Sequence, residues 1–199
     1  MNFEPLAPTA AAEQVSRDRV MDAGIRPVWS GATIQGPAFT VKCAPGDNLM
    51  LHAALYRAPA GSVLVVQAAD AEWAMAGGNV AAVAQRRGLA GFVVDGAVRD
   101  IGEMRELGFP VFARAVIPKP GVKKQPLPLG EPVTVGGVQV STGDLILGSE
   151  EGLVAVPAAD AEAVVAAALA KEKKEREAGL DAWAAAHSAN IHQLMGWDA

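Results

Sequence analysis

The chain has 199 residues, 51% of them hydrophobic, with a net charge of −5 and one cysteine. That length supports one domain with a substantial core. The acidic balance argues against a nucleic-acid surface, whose footprint is a basic patch, and the lone Cys43 rules out an internal disulfide and fits a reducing compartment.

From the N-terminus, MNFEPLAPTA shows no basic-then-apolar leader and no later apolar run reaches membrane-spanning length, so a soluble, cytoplasmic protein without membrane partners is expected. Residues 9–23 read as a helix with Thr9 as cap. GPAFTVKC (36–43) reads as a strand, and Asp47 after the Pro45-Gly46 turn can cap the helix NLMLHAALYRA, which stops before Pro59. SVLVVQA follows as a strand. Gly77-Gly78 then precede the helix NVAAVAQRRG, closed by Gly88.

Residues 91–100, GFVVDGAVRD, are the most informative stretch. Gly91–Val94 is an apolar run suited to a strand buried on both faces. Asp95-Gly96 is expected to end it, with Arg99-Asp100 at the start of the next helix, IGEMREL. FPVFARAV is a further strand, so strands alternate with helices, as in a parallel sheet. IPKPGVKKQPLPLGEP reads as a loop, PVTVGGVQV as a hairpin around Gly136-Gly137, and DLILG and GLVAVP as two short strands, giving an antiparallel sheet over 131–156. From Pro157 a long helix is expected up to Gly179, then an amphipathic tail helix. Trp183, Ile191, Leu194 and Trp197 on that tail are expected to dock on the body or a neighbouring subunit. The division is thus an α/β domain over 1–160 and a C-terminal helical extension over 161–199.

Three pieces can form a site. The Gly77-Gly78-Asn79-Val80 loop opens a helix, where free N–H groups attract a carboxylate and glycine permits close approach. Arg99 can grip a carboxylate in a forked pair, and Asp100 can hold a hard divalent cation. Together they suit a 2-keto acid whose keto oxygen lies on a metal that stabilises an enolate, the shared intermediate of retro-aldol cleavage and 2-keto-acid decarboxylation. Taken alone, a Gly-Gly before a helix is usually a turn and an Arg-Asp pair usually a surface ion pair. The other candidates read as structural: His52 as a packed residue on an apolar helix, Cys43 as core, Lys123 and Lys124 as solvent-facing. His187 and His192 are five apart and off one face. No G-x-G-x-x-G is present to support a Rossmann-type cofactor.

The stretches PGDNLMLHAAL and GGNVAAVAQRRGLAGFVVDGAVRDIGEMRELGFPVFARAVIPKP resemble the RraA-like family over roughly residues 10–160. That family contains divalent-metal-dependent aldolases acting on 4-hydroxy-4-methyl-2-oxoglutarate and 4-carboxy-4-hydroxy-2-oxoadipate, and a regulator of ribonuclease activity. The resemblance implies a single three-layer β/β/α swivelling-type domain, α/β in class, with a parallel central sheet, a smaller antiparallel sheet and a C-terminal helical extension. It implies a homotrimer or homohexamer with interfacial sites, and Mg²⁺ or Mn²⁺ as cofactor. Carried over, Asp100 matches the metal-binding aspartate and Arg99 the arginine on the substrate's oxygens, both catalytic. Gly77, Gly78, Asn79 and Val80 match the loop whose amides receive the pyruvate carboxylate. Asp95 falls on the family's DG pair and is expected to orient Arg99 or a metal-bound water, or only to cap a turn. One departure stands out: where family aldolases place an acid in this loop, the chain has Gly78. Asp47, Asp70 and Glu72 are candidates to supply the carboxylate from elsewhere, Glu72 being nearest in sequence. The activity so implied is cleavage of a 4-hydroxy-2-oxo di- or tricarboxylic acid to pyruvate and a second keto acid, with oxaloacetate decarboxylation beside it. A non-catalytic regulator binding a ribonuclease is the alternative, and an isomerase or hydratase using the same enolate is a third reading.

Overall fold

In the computed structural model, described for residues 5–197, the chain runs through helix α1 (Pro8–Ala12), a 3₁₀ turn (Arg17–Arg19), strands β1 (Arg26–Pro27) and β2 (Ile34–Lys42), helix α2 (Leu49–Ala54), β3 (Val63–Gln67), α3 (Gly78–Arg86), β4 (Gly91–Val98), α4 (Ile101–Glu106), β5 (Val111–Val116), β6 (Val133–Val135), β7 (Val138–Val140), β8 (Leu145–Ser149), β9 (Gly152–Val156) and helix α5 (Ala161–Met195). β2, β3, β4 and β5 pair in parallel, each with the next in sequence. The full sheet has seven strands in the order β1-β5-β4-β3-β2-β8-β9, and β6-β7 form a separate two-stranded sheet.

The two-residue period of the strands sorts the core into layers. Leu64, Val66, Phe92 and Val94 face α2, α3 and α4, meeting Leu51, Ala81, Ala84 and Met104. Val63, Val65, Val93 and Phe112 face the other way, against Val133–Val140 of the hairpin and Ile146 and Leu153 of β8 and β9. The outer face of that second layer, Leu145, Leu147, Val154 and Val156, is covered by α1 and by Ala161, Val164, Val165 and Ala168 of α5. A parallel sheet buried on both faces needs apolar residues at every position, which is why β3 and the start of β4 read as unbroken runs. The expected parallel sheet, small antiparallel sheet and C-terminal helix are all present.

Four local expectations are corrected. The helix over 9–23 is instead α1 and a 3₁₀ turn, because Arg19 is tied to the body: its guanidinium donates to the Ala155 and Gln139 carbonyls and pairs with Asp144 at 3.3 Å. β4 does not stop at Asp95-Gly96 but runs to Val98 across a register shift between Val94 and Ala97. A Cβ at Gly96 would stand 2.6 Å from the Ala68 Cβ, so glycine lets the two segments touch. The antiparallel sheet over 131–156 divides: β6-β7 stand apart, whereas β8-β9 join the large sheet through Ile34–Pro37 of β2. Finally, α5 carries its expected Gly179 break (φ 77°), but Leu180, Trp183, Leu194 and Trp197 beyond it are exposed, so of the two docking places expected for the tail the body of the same chain is not the one used. The hairpin is as expected, with Gly136 and Gly137 both at positive φ, as a two-residue turn of this kind requires. The expected domain limits at residues 1 and 199 lie outside the described residues.

Candidate active site

Segments that follow the carboxyl ends of four parallel strands converge on one cleft of about 90 Å³. Gly77, Asn79 and Val80 come after β3, and Arg99 and Asp100 after β4. Asn48 and His52 come after β2 and Gly121 and Lys123 after β5. The carboxyl edge of a parallel sheet is where such folds place ligands. A wider groove of about 890 Å³ opens at the amino ends of β3 and β4, around Leu6, Pro8, Gly61 and Ala90, and holds none of the groups expected to do chemistry.

Asp100 sets the geometry. It is the one non-glycine residue at positive φ among those described (φ 58°, ψ 40°). It stands at the N-cap of α4 but its side chain makes no cap bond there. Its Oδ2 instead accepts the Gly78 N–H at 3.2 Å, the first amide of the neighbouring helix α3, and lies 3.4 Å from Arg99 Nε. Both side chains are about two-fifths exposed (41% and 38%), so the pair opens to solvent. A left-handed aspartate costs on the order of 1 kcal/mol, and such outliers gather at functional sites.

The glycine pair answers to close approach. Gly77 is extended (φ −143°), a backbone any residue adopts. A Cβ there would overlap Asp100 Oδ2 and stand 3.1 Å from Arg99 Cγ and Nε. A Cβ at Gly78 would overlap the Glu103 carboxylate, with Glu103 Cδ at 2.6 Å and Cβ at 2.8 Å. Of the first amides of α3, Gly78 donates to Asp100, and Val80 and Ala81 both donate to the Gly77 carbonyl at 3.0 Å. The opening amides of a helix have no intrahelical partner, so Asn79 N–H is the one left for an anion. Arg99 N–H donates to the Ala76 carbonyl at 3.0 Å, which locks the two loops together.

The facing wall carries polar groups that sequence reading set aside. Asn48 is 5% exposed; its Nδ2 donates to the Ala74 carbonyl at 3.3 Å and its Oδ1 has no partner. Burial, and then the nearby Lys123 charge, push the His52 imidazole down to about 4, so it is neutral at pH 7. Asp47 ties this wall in place: Oδ1 accepts Leu49 N–H at 2.8 Å, and Oδ2 accepts the N–H groups of Lys124 (2.6 Å) and Gln125 (3.0 Å). Burial opposes its charge, but those three donors and Lys123 outweigh it and hold the carboxyl below its ordinary range.

The supporting carboxylates divide. Asp95 does not reach Arg99: it pairs with Arg114, which also grips Asp22, and it accepts the Gly136 N–H at 2.8 Å, pinning the β6-β7 hairpin to β4. Glu72 is exposed and Asp70 half-buried, and both lie outside the cleft lining; Asp70 Oδ1 accepts the Glu72 N–H at 2.9 Å. Asp47 holds the loop but is likewise off the lining. The carboxylate beside Gly78 belongs to Glu103, which sequence reading passed over. Its signal was its place three residues after Asp100, on the first turn of α4. Cys43 is buried, its thiol pushed up to about 11 by burial, as a core residue should be.

The chain is similar to known proteins in both sequence and fold. The RraA-like family, described as aldolase/RraA, matches residues 9–155. A Halalkalibacterium halodurans protein named "Putative 4-hydroxy-4-methyl-2-oxoglutarate aldolase" is 34% identical over 196 residues, covering 98% of this chain and 91% of that protein. A Thermus thermophilus protein named 4-hydroxy-4-methyl-2-oxoglutarate aldolase is 38% identical over 112 residues, covering 56% and 68% of the two chains. Among solved structures, Streptomyces coelicolor RraAS2, described as an unusual member of the RNase ES inhibitor RraA family, superposes with a TM-score of 0.77 at 31% identity, covering 87% of this chain and 92% of that one. The Thermus RNA-processing inhibitor RraA gives 0.69 at 30% identity, with 79% and 94% covered. With the family matched over residues 9–155 and a relative 34% identical over nearly the whole chain, the chain belongs to the RraA-like family.

Proposed function

We propose that the protein is a divalent-metal-dependent lyase that cleaves a 4-hydroxy-2-oxo di- or tricarboxylic acid to pyruvate and a second keto acid, and that also decarboxylates oxaloacetate. The supporting observation is the turn of Asp100: a strained residue that leaves its own helix uncapped and presents its carboxylate, beside Arg99, to an open cleft. A structural ion pair has no need of that strain.

The donor set suits Mg²⁺ or Mn²⁺. No group of three or more His, Cys, Asp or Glu stands ready for a metal among the described residues. Mg²⁺ needs no such cage: one or two carboxylates, waters and substrate oxygens suffice. Asp100 would be the anchor, and the cradle above Gly77 that a Cβ would fill keeps its Oδ2 in reach. The cation, when bound, supplies Lewis-acid stabilisation of charge on the keto oxygen.

The protein's own groups do the rest. Asn79 N–H and the positive end of α3 receive the C1 carboxylate. Arg99 forks onto the C1 and C2 oxygens. Cleavage breaks C3–C4: the C4 hydroxyl proton leaves to water, the bond pair passes to C3 as the enolate, and C3 then takes a proton to give pyruvate. Glu103, whose exposed carboxylate stands beside Gly78 and outside the cleft lining, would hold the water that exchanges those protons.

The test is a lactate dehydrogenase-coupled assay of pyruvate release, with Mg²⁺ or Mn²⁺ and with EDTA. Metal-dependent release from 4-hydroxy-4-methyl-2-oxoglutarate or oxaloacetate supports the reading; no release from either with any metal refutes it. The likeness to proteins described as RraA inhibitors favours a second reading, a regulator that binds a ribonuclease. Inactivity together with specific retention of a ribonuclease would establish it.

A further inference from the structure

We infer that Asn48 is a positioning residue that holds the C4 hydroxyl of the substrate through its side-chain oxygen; the inference rests on the reading of the site as a 4-hydroxy-2-oxo acid lyase. Asn48 is buried at the cleft, only 5% exposed, and its Oδ1 is the one buried side-chain oxygen or nitrogen without a hydrogen-bond partner among the described residues. Its orientation is fixed, because Nδ2 donates to the Ala74 carbonyl at 3.3 Å and a flipped amide would set two oxygens face to face. The residue itself is held on both sides. Its N–H donates to the Val122 carbonyl at 2.8 Å, its carbonyl accepts the His52 N–H at 3.2 Å, and Gly121 closes over it so tightly that a Cβ there would stand 3.2 Å from Asn48 Cγ.

An unmatched buried amide oxygen is costly to keep, and a rigid one beside a ligand cleft asks for a donor. Of the substrate's groups, carboxylates and the keto oxygen only accept; the C4 hydroxyl alone donates. With C1 and C2 at Asn79, Arg99 and Asp100, C4 falls toward the facing wall, where Asn48 lies. Holding that hydroxyl at the wall fixes rotation about C2–C3, so that the C3–C4 bond to be broken stands across the plane of the keto group. Asn48 takes no proton: it orients the hydroxyl in the bound substrate, and the single hydroxyl proton turns from Asn48 Oδ1 to water as the C3–C4 bond breaks.

Oxaloacetate has no C4 hydroxyl, which gives the test an internal control. kcat/KM is measured for 4-hydroxy-4-methyl-2-oxoglutarate and for oxaloacetate in the wild type, Asn48→Ala and Asn48→Asp. Thermal unfolding and calorimetric binding of oxalate with Mg²⁺ report whether each variant is folded with its metal end intact. Asn48→Ala is expected to lower the aldol reaction about ten- to hundredfold while oxaloacetate decarboxylation changes less than about threefold. Asn48→Asp keeps an acceptor and, protonated on the oxygen that faces the Ala74 carbonyl, keeps that bond too; it is expected to return the ratio of the two activities toward the wild-type value. Equal loss of both reactions in a variant that unfolds normally and binds oxalate, or no loss of either, overturns the inference. If Asn48→Ala is unfolded, the ratio in Asn48→Asp decides, and a ratio that falls there as for a lost acceptor overturns it. A wild type inactive on both substrates would instead overturn the lyase reading itself.

Discussion

Replacing Asp100 with asparagine separates a structural ion pair from a metal anchor. Asparagine matches aspartate in shape and adopts the left-handed backbone (φ 58°) at least as readily, so the turn into α4 is kept. Its side-chain oxygen can still accept the Gly78 N–H now held at 3.2 Å. What disappears is the charge. The Arg99–Asp100 contact is long, 3.4 Å, with both side chains about two-fifths exposed, and a pair of that kind contributes at most about 1 kcal/mol. For a chain of this size that is a fall of about 2–4 °C in Tm. The loss of the anionic oxygen that would hold the cation has a different scale: a fall in kcat/KM of at least about a hundredfold, since one electrostatic contact to developing charge is worth about 10²–10³ by itself. The assays are thermal unfolding in EDTA and coupled pyruvate release across a Mg²⁺ titration. An Asp100→Asn variant that keeps more than about a tenth of wild-type activity at unchanged Mg²⁺ dependence would refute the role given to Asp100.

Arg99→Lys should lose at least about tenfold in kcat/KM, chiefly for substrate rather than metal, because an ammonium cannot copy the fork; an unchanged KM would count against it. Gly77→Ala keeps an allowed backbone but drives a methyl into Asp100 Oδ2, so activity should fall at least about tenfold with Tm little changed; full activity would show that the close approach is not needed. Arg114→Met leaves Asp22 and Asp95 without their shared cation and should cost about 1–2 kcal/mol in urea unfolding while pyruvate release is unaffected. His52 predicts an acid limb. The unfolded imidazole takes a proton near pH 6.5, whereas the folded one does so only near 4. Stability should therefore be full above about pH 6.5 and fall toward pH 4, by about 1–2 kcal/mol allowing for partial exposure. His52→Gln should flatten that slope in urea midpoints taken at about pH 7.5, 6 and 4.5.

The sheet was legible because burial on both faces forces the sequence to show it. VLVV at 63–66 and GFVV at 91–94 are apolar at every step, and their pairing as Val63–Val66 beside Gly91–Val94 follows. The helix over 9–23 misled because its apolar spacing is real but Arg19 finds three oxygens more than a hundred residues away, on β7, on β9 and just before β8, a competition that no local window contains. Asp95-Gly96 misled in a similar way: turn chemistry by composition, yet the aspartate is satisfied by Arg114 and Gly136 and the strand runs on. Asp100, Arg99 and the glycine loop were legible through their spacing and their likeness to a family. Glu103 and Asn48 were not, since one sits on a short helix with an ordinary capping pattern and the other reads as a helix start.

That asymmetry follows from how the site is assembled. Four parallel strands, adjacent in both sequence and space, each end at the same edge, and each contributes the segment that follows it. The β3 and β4 segments lie side by side and share backbone bonds, Arg99 N–H to Ala76 and Met75 N–H to Ala97, so their residues are constrained by one another and form a compact motif. The β2 and β5 segments share backbone bonds too, Asn48 N–H to Val122 and Val122 N–H to Gly46, but across a much longer stretch of chain, and Asp47 adds a side-chain tie to Lys124 and Gln125 seventy-seven and seventy-eight positions away. A carboxylate spent on three backbone donors is invisible as a motif, although it decides where Asn48, His52 and Lys123 stand. Substrate chemistry at C1 and C2 is therefore carried by the readable half of the cleft. Recognition of everything beyond C3 is carried by the half that only the folded sheet edge brings together.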